Sequence, residues 1–293
     1  MNAYQRTIKK LAGLISRLFM TLISLMRIYM LSGFRSKLKH INIESKDECY
    51  VLGNGPSLKK DINNKLGLLE GKNLMVVNNF ASYDLYEKLR PNIYVLTDPG
   101  YWRENSVRYE ANLSIFDKII EKTKWKLYII IPYEGYKKGL IRNKFREKKL
   151  IEVVYYNTQV FEGFDFIRHY LYKRNLSMPT AKNVLLAAVY LSLNLGMKRT
   201  NLLGADHSWL NEITVGKDNQ VYLIDKHFYD EAVGKKPWQK ISGDRYMLHE
   251  ILKDLSDVFR GYHELRIYGE TLNADIVNLT NDSFIDAFER ADF

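Results

Sequence analysis

The chain has 293 residues, of which 46% are hydrophobic and 27% are charged, a composition typical of a globular protein and not of a disordered one. Its single cysteine, Cys49, excludes an internal disulfide and any zinc site built from several cysteines. Cys49 falls at the expected start of the first strand, which favours a buried structural thiol over a nucleophile and fits a reducing, cytoplasmic compartment.

The net charge of +10 is concentrated near the amino terminus. Residues 1–40 hold eight basic residues and no acidic one, which leaves 36 basic against 34 acidic residues in the rest of the chain. A nearly neutral body lacks the broad basic surface that phosphate backbones require, so we expect no nucleic-acid partner.

Residues 1–40 are predicted to form a basic amphipathic helix that lies on a membrane surface. Only residues 18–26 are apolar without interruption, whereas a bilayer span takes about twenty such residues, and no small-residue cleavage site follows as in a signal peptide. At 100° per residue, one side carries basic and small residues and the other is broadly apolar. The basic side holds Arg6, Lys9, Lys10, Gly13, Arg17, Ser24 and Arg27, and the apolar side holds Leu11, Leu14, Ile15, Leu18, Phe19, Leu22, Leu25 and Tyr29.

A helix of this kind suits an anionic membrane, with its cations at the headgroups and its leucines in the acyl boundary. We expect a peripheral protein on the cytoplasmic, inner face of a bacterial inner membrane. The alternative is a helix packed on the body or on a partner subunit of a homo-oligomer.

From residue 46 to 293 the pattern predicts a single Rossmann-like α/β domain, with a mostly parallel sheet and helices on both faces. Short apolar runs without alternation, separated by helical stretches, are typical of buried parallel strands. The expected strands are residues 49–53, 74–78, 93–97, 126–131, 151–156, 200–204 and 265–268.

Helices are expected at residues 180–196, 244–260 and 283–290. The first has Thr180 as its N-cap and is apolar nearly all round, which predicts a central position. The helical and strand periodicity is lost over about residues 205–243, so we expect a functional lid there. Its aromatic residues, among them Trp209 and Trp238, are expected either to stack on a sugar or base or to pin the segment to the body.

The stretch "LGNGPSL" after the first strand predicts a phosphate-binding turn. Gly53 and Gly55 would let the backbone turn tightly and approach a ligand, and Pro56 would start a helix whose free N–H groups favour a phosphate. Asn54 adds an amide donor and acceptor. A turn that simply needs left-handed backbone is the alternative.

The sequence shows no third glycine of the dinucleotide fingerprint, no P-loop and no DxD pair, which favours phosphate binding without a metal.

Polar residues also follow the second and third expected strands. Asn78 and Asn79 end the second, and Thr97 and Asp98 precede a Pro-Gly turn after the third. Because the carboxyl ends of parallel strands lie at one edge of a sheet, these residues and Asn54 predict a shared site. Turn formation or helix capping is the alternative role for each one alone.

These motifs resemble a known family. "GNGPSL", "VNNF", "DPG", the Thr-initiated helix and "LLGADHSW", over about residues 48–280, resemble the bacterial sialyltransferases of glycosyltransferase family 42. They are similar also to the broader domain of unknown function 115 and to the motility-accessory-factor flagellin glycosyltransferases. The resemblance implies a Rossmann-like domain of the sialyltransferase variant of the GT-A fold, a nucleotide-monophosphate sugar donor, a mobile lid, and metal-independent transfer with inversion.

Carried over by position, the resemblance assigns donor contacts in this chain. The donor phosphate or cytidine would be held by Gly53, Asn54, Gly55, Pro56 and Ser57, and the donor sugar or base by Asn78 or Asn79 and Thr180. The chain departs from the family at Asp98, where the family has asparagine, and at Ala181-Lys182, where it has Ser-Gly. These departures concern the donor and not the fold.

Glycosyl transfer needs a base for the acceptor hydroxyl and groups that stabilise the departing phosphate. Histidine titrates near neutral pH and is the natural base. His207 follows the strand at 200–204, with Asp206 beside it to orient it, and His227 lies inside the expected lid. His249 follows the lid, in the chain order of the family's catalytic histidine; a helix-surface role is its alternative.

Together these features predict an inverting glycosyltransferase of cell-envelope polysaccharide assembly, the class that builds lipopolysaccharide, O-antigen or capsule. It would transfer a sugar, such as sialic or another nonulosonic acid from a CMP-linked donor, to a lipid-linked glycan acceptor, with no metal and no further cofactor. Two alternatives stay open: a pyrophosphokinase resembling the pterin enzymes, which would need ATP and magnesium, and a non-catalytic membrane scaffold that retains a nucleotide pocket.

Overall fold

The computed structural model describes residues 3–38, 41–63, 65–223, 236–240 and 242–293. The strands are β1 (Glu48–Leu52), β2 (Asn73–Val77), β3 (Ile93–Val95), β4 (Leu127–Pro132), β5 (Ile151–Tyr156), β6 (Arg199–Leu203), β7 (Ile213–Val215), β8 (Val221–Leu223), β9 (Lys236–Pro237), β10 (Asp275–Asn278) and β11 (Glu289–Arg290). The helices are α1 (Ala3–Ser32), α2 (Leu58–Asp61), α3 (Leu85–Leu89), α4 (Tyr109–Lys122), α5 (Tyr133–Lys138), α6 (Leu140–Phe145), α7 (Asp165–Lys173), α8 (Val184–Asn194) and α9 (Leu248–Glu270).

The main sheet has eight strands in the order β11-β10-β6-β1-β2-β3-β4-β5, and every neighbouring pair is parallel. The chain builds outwards from β1 to β5 on one side and then continues through β6 on the other side of β1. The order therefore reverses between β1 and β6, which is the place where open α/β sheets bind ligands. Strands β7, β8 and β9 form a separate small antiparallel sheet.

Both faces of the main sheet are covered, as the sequence predicts. In β2, Met75 and Val77 belong to a core that includes α8 and α9, whereas Leu74 and Val76 belong to the opposite core, which includes α4. Successive side chains of a strand point to opposite faces, so a strand buried on both faces has no polar alternation. The predicted α/β fold with a mostly parallel sheet is confirmed.

Helix α8 is the central helix, and its start differs from the prediction. Residues 185–193 are all buried, and the helix packs on β1, β2, β3 and β6 and against α9. Its N-cap is Asn183, whose side chain accepts a hydrogen bond from the Leu186 N–H at 2.8 Å. The prediction that Thr180 is the N-cap is wrong. The backbone of Asn183 is still extended, so the helix begins only after that residue.

Two predicted elements near the carboxyl end are wrong. Residues 265–268 form no strand, because α9 continues through them and buries Leu265 and Tyr268, three residues apart on one helical face. Residues 283–290 form no helix. Their hydrogen bonds go to the segment after β6, where the Ser283 hydroxyl donates to the Ala205 carbonyl at 2.6 Å, and the edge strand β11 follows.

Helix α1 docks on the body through its carboxyl-terminal half. Ser24 Oγ donates to the Glu162 carbonyl at 3.1 Å, the Arg27 guanidinium donates to the Val160 carbonyl, and Ile28 packs on Phe161 and Leu171. Ser24 and Arg27 belong to the predicted basic side, so the packing alternative holds for this half of the helix.

Most of the apolar side of α1 faces away from the body, although Leu25 packs on the docking cluster. Five apolar side chains of this helix are 54–63% exposed, namely Leu11, Leu14, Leu18, Phe19 and Leu22. By length and composition alone the helix is also long and apolar enough to cross a membrane, a test that core helices and signal sequences pass as well. An unburied apolar side of this extent is compatible with membrane association.

Candidate functional site

A cavity of about 870 Å³ opens over the carboxyl ends of strands β1 to β5. Its other walls are the start of α8, the segment after β6, the segment around β9, and the first turns of α9. A volume of this size is in the range of small-molecule sites. Of the predicted site residues, the cavity is lined by Asn54, Gly55, Pro56, Asn78, Thr97, Asp98, Asp206 and His207. The cavity lining does not include five other predicted site residues, Gly53, Ser57, Asn79, Thr180 and His249. His227 lies outside the described residues.

The two glycines after β1 serve a close approach between loops. The Gly53 N–H donates to the Leu203 carbonyl at 2.8 Å and the Gly55 N–H to the Gly204 carbonyl at 2.9 Å. A Cβ on Gly53 would lie 2.3 Å from Gly204 O, and one on Gly55 would lie 1.9 Å from Asp206 Oδ2. Neither glycine has a positive φ. The glycines are therefore required by the segment after β6, and not by a left-handed turn.

A carboxylate occupies the start of α2, where the sequence predicts a phosphate. Asp206 accepts from the Ser57 N–H at 3.1 Å through Oδ1 and from the Ser57 hydroxyl at 2.9 Å through Oδ2. Burial raises the pKa of Asp206, while these two hydrogen bonds act in the opposite direction. The prediction of free N–H groups for a phosphate at this turn is corrected, because the Asp206 carboxylate already accepts from Ser57.

Asn54 and Asn78 bring amide groups to the cavity wall. Asn54 Nδ2 donates to the Val77 carbonyl at 3.3 Å, and Asn78 holds a left-handed backbone with φ of +50°. The Oδ1 atoms of both are buried without a hydrogen-bond partner in the described part of the chain. Asn79 accepts from the Tyr101 hydroxyl at 3.1 Å instead of lining the cavity. Asn54 and Asn78 thus have unused acceptors that suit the hydroxyl or amino groups of a ligand.

Asp98 is paired with a cation that the sequence analysis did not identify. Asp98 Oδ1 accepts from the Gly100 N–H at 2.8 Å, and Oδ2 lies 3.1 Å from Arg108 Nη1. Arg108 lines the cavity, as does Thr97. Arg108 follows no strand and belongs to no motif, so only the folded chain reveals that its guanidinium reaches the site.

His207 is held inside the cavity wall. It is 6% exposed, and its Nε2 lies 2.7 Å from the Tyr262 hydroxyl and 2.9 Å from Asn183 Nδ2. Burial lowers the pKa of His207 to about 3, so the ring is neutral at pH 7. The predicted Asp206–His207 pair does not form, because Asp206 bonds to Ser57. A weakly basic ring whose Nε2 is already hydrogen-bonded is a poor proton acceptor, and His207 supports the wall.

His249 lies on the first turn of α9, exposed to solvent and away from the cavity lining. Cys49, by contrast, follows its prediction. It is fully buried, and burial raises the pKa of its thiol to about 12, which makes it an inert structural residue.

The wall opposite the strand ends is aromatic and charged. Trp209 and Trp238, both predicted in the lid, line the cavity and pack on the small core of Ile251 and Leu255 on α9. The same wall carries a cluster that no sequence motif indicates, in which Lys182 Nζ lies 3.0 Å from Asp254 Oδ1 and the Tyr246 hydroxyl donates to Asp254. Burial, together with the Asp254 carboxylate, raises the pKa of Tyr246 to about 12.

Within the described ranges, no group of three or more His, Cys, Asp or Glu side chains is arranged to hold a metal ion. The fold and the site together define an α/β protein with a polar and aromatic ligand cavity at the switch point of a parallel sheet.

No protein-family model and no curated protein matches this chain. Among solved structures, the chain is similar to a MAf glycosyltransferase from Magnetospirillum magneticum AMB-1, with a TM-score of 0.49 and 14% sequence identity. The match covers 86% of this chain and 34% of that one, so this chain spans about a third of its neighbour's length.

Proposed function

We propose that this protein is a glycosyltransferase that binds a nucleotide-linked sugar in the cavity over β1 to β5. The observation that carries the proposal is the meeting of Asn54, Asn78, Thr97 and Asp98, from the ends of three consecutive strands, in one cavity. The resemblance of "GNGPSL" and the later motifs to sialyltransferases supports the same class of substrate.

The cavity walls suggest how a donor would bind. The base or sugar would stack on Trp209 or Trp238, and its hydroxyl or amino groups would donate to the unused Oδ1 atoms of Asn54 and Asn78. Since Asp206 occupies the start of α2, we place the donor phosphate near Arg108 instead. Arg108 is half-exposed, and turning it from Asp98 to a phosphate costs little, because exposed ion pairs contribute at most about 1 kcal/mol.

The reaction would form one bond and break one bond at the anomeric carbon. The acceptor oxygen attacks that carbon while its proton passes to a base, and the bond from the anomeric carbon to the donor phosphate breaks. Arg108 and Lys182 would stabilise the departing phosphate without a metal. The burial of His207 and the exposure of His249 disfavour both as the base. The role of His227 as the base remains a prediction.

The acceptor would be a lipid-linked glycan at the inner face of the bacterial inner membrane, with CMP-linked sialic or nonulosonic acid as donor. Thr158 lines the cavity, and the α1 docking site begins two residues later at Val160. The apolar helix is therefore attached beside the cavity wall, where a membrane-bound acceptor would arrive.

A thermal-shift screen against CMP, CDP, UDP, GDP and ATP, each with magnesium and with EDTA, tests the proposal. We expect CMP to raise the melting temperature in EDTA, because a ligand that binds only the folded state stabilises it by mass action. The double substitution of Asn54 and Asn78 by Ala should abolish the shift, and Asn63→Ala, an exposed asparagine, is the control.

Two other outcomes of this screen contradict the proposal. A shift only with ATP and magnesium would favour the pyrophosphokinase alternative. A CMP shift that persists in the double variant would place the nucleotide outside this cavity.

A further inference from the structure

The helical hairpin of α5 and α6 carries an exposed concentration of positive charge. Residues 133–149 hold seven basic residues and two acidic ones. All seven cations are exposed, while Ile141 and Phe145 are buried and fix the hairpin to the body. We call the seven side chains the hairpin basic surface. They are Lys137, Lys138, Arg142, Lys144, Arg146, Lys148 and Lys149.

Little of this charge is neutralised by neighbouring carboxylates. Glu134, one of the two acids in the hairpin, binds Arg103 through two hydrogen bonds of 2.8 and 2.7 Å. Lys144 pairs with Asp117 at 2.6 Å. Within the part of the chain that the structure describes, Lys137 and Lys148 form no ion pair with a carboxylate. The hairpin basic surface therefore attracts anions from outside the chain.

The hairpin basic surface adjoins the end of α1. Lys37, five residues after α1, donates to the Tyr136 hydroxyl at 2.9 Å, and its Nζ lies 5.2 Å from the centre of that ring. The Arg142 guanidinium also lies 5.2 Å from the same ring. One tyrosine of α5 thus contacts a cation from the segment after α1 and a cation from α6, so the positive charge of the hairpin extends to the segment after α1.

We infer that the hairpin basic surface is a second membrane contact, which binds the headgroups of anionic phospholipids. A single apolar element gives reversible membrane binding, whereas apolar insertion combined with a polybasic patch holds a protein at the surface. Here the segment that follows α1 meets the hairpin at Tyr136 through Lys37, and α1 itself exposes its apolar side over residues 11–22. The inference rests on the proposed membrane location of α1 and not on the proposed sugar transfer.

The hairpin also borders the cavity. Pro132 and Glu134, at the start of α5, line it. Binding of headgroups to the hairpin would therefore orient the cavity relative to the membrane, in addition to holding the protein there.

Sedimentation of the full chain with vesicles tests the inference. The vesicles are pure phosphatidylcholine, or phosphatidylcholine with about 30% phosphatidylglycerol. In the test variant, Lys137, Lys138 and Lys148 are replaced by Ala. The matched control replaces the exposed Lys59, Lys60 and Lys88 by Ala, the same change of net charge on another part of the body. A third variant, with Leu14 and Leu18 replaced by Gln, weakens the apolar side of α1.

The wild type should bind the anionic vesicles more tightly than the neutral ones. We expect the test variant to bind anionic vesicles about 100-fold more weakly than the control variant, with neutral-vesicle binding unchanged, because each of the three surface cations contributes a factor of about five to the attraction by anionic lipid. The α1 variant should lose binding to both kinds of vesicle. This pattern separates the hairpin from α1, and neither readout depends on nucleotide binding or sugar transfer.

Equal binding of the test and control variants to anionic vesicles would overturn the inference. It would also be overturned if the test variant kept its vesicle binding but lost binding to labelled RNA, since the cations would then serve a nucleic acid.

Discussion

At the residue scale, the glycines of "LGNGPSL" are best understood from what a Cβ would touch. Replacement of Gly55 by Ala should destabilise the protein by about 1–3 kcal/mol, because the new Cβ would lie 1.9 Å from Asp206 Oδ2 and 2.6 Å from Gly204 O. Gly67→Ala is the matched control, since a Cβ there meets nothing within 4 Å. Thermal unfolding of the two variants checks this, and similar melting temperatures would show that the two loops separate easily.

A second residue-scale prediction concerns the buried His207. Its folded pKa of about 3 lies below the unfolded value of about 6.5, so below pH 6.5 the unfolded chain takes up a proton that the folded chain refuses. The buried ring of His207 therefore costs no stability above pH 6.5, and the free energy of unfolding decreases as the pH falls from 6.5 towards 3. His207→Gln should therefore make the unfolding free energy less sensitive to acid, by up to about 1.4 kcal/mol per pH unit in this window.

Urea unfolding at pH 7.5, 5.5 and 4.5 measures this difference in slope. The exposed His249, replaced by Gln, serves as the control and should keep the slope of the wild type. Parallel curves for His207→Gln and wild type would contradict the burial of a neutral ring.

At the scale of elements, the start of α8 shows what a local pattern leaves undecided. Thr180 and Asn183 are both good N-cap residues, and a sequence pattern alone does not choose between them. In the fold, the Asn183 side chain accepts from the Leu186 N–H and donates to His207 Nε2, so the cap is tied to the segment after β6.

Asn183→Ala should therefore cost about 1–2 kcal/mol of stability, whereas Thr180→Ala should cost much less. Chemical denaturation of both variants measures the difference. If Thr180→Ala proved the more damaging change, the helix would begin earlier than the structure shows.

The long helix α9 is another element where tertiary contacts decide. Residues 265–268 contain Leu, Ile and Tyr, which favour a strand when taken alone. In the folded chain Leu265 and Tyr268 fill the core beside α8, while Ile267 is 45% exposed, a helical and not an alternating arrangement.

At the scale of the whole molecule, α1 is both a part of the fold and an exposed apolar surface. Removal of residues 1–18 should leave the melting temperature within about 2 °C of the full chain, because the residues of α1 buried against the body begin at Thr21. Removal of residues 1–32 also deletes the buried Ile28 and uncovers Phe161 and Leu171, a loss of about 1.5–3 kcal/mol for the isoleucine alone.

Thermal unfolding of the two truncated chains separates the two roles of α1. Equal melting temperatures for both would show that the docked half contributes nothing to stability. The shorter truncation is accordingly the better probe of membrane binding, since it removes exposed leucines and preserves the docking contacts.

The amino-acid sequence alone predicts the first six strands to within two residues, the helices on both faces, and the arrival of Asn54, Asn78, Thr97 and Asp98 at one edge. These follow from local periodicity and from the rule that parallel strands end together. Other features appear only in the folded chain: Asp206 accepts from Ser57 at the start of α2, and His207 is buried and neutral. Arg108 and Asp254 reach the cavity, and β10 and β11 extend the sheet beyond β6. These features depend on contacts between residues distant in sequence, and no local pattern encodes such contacts.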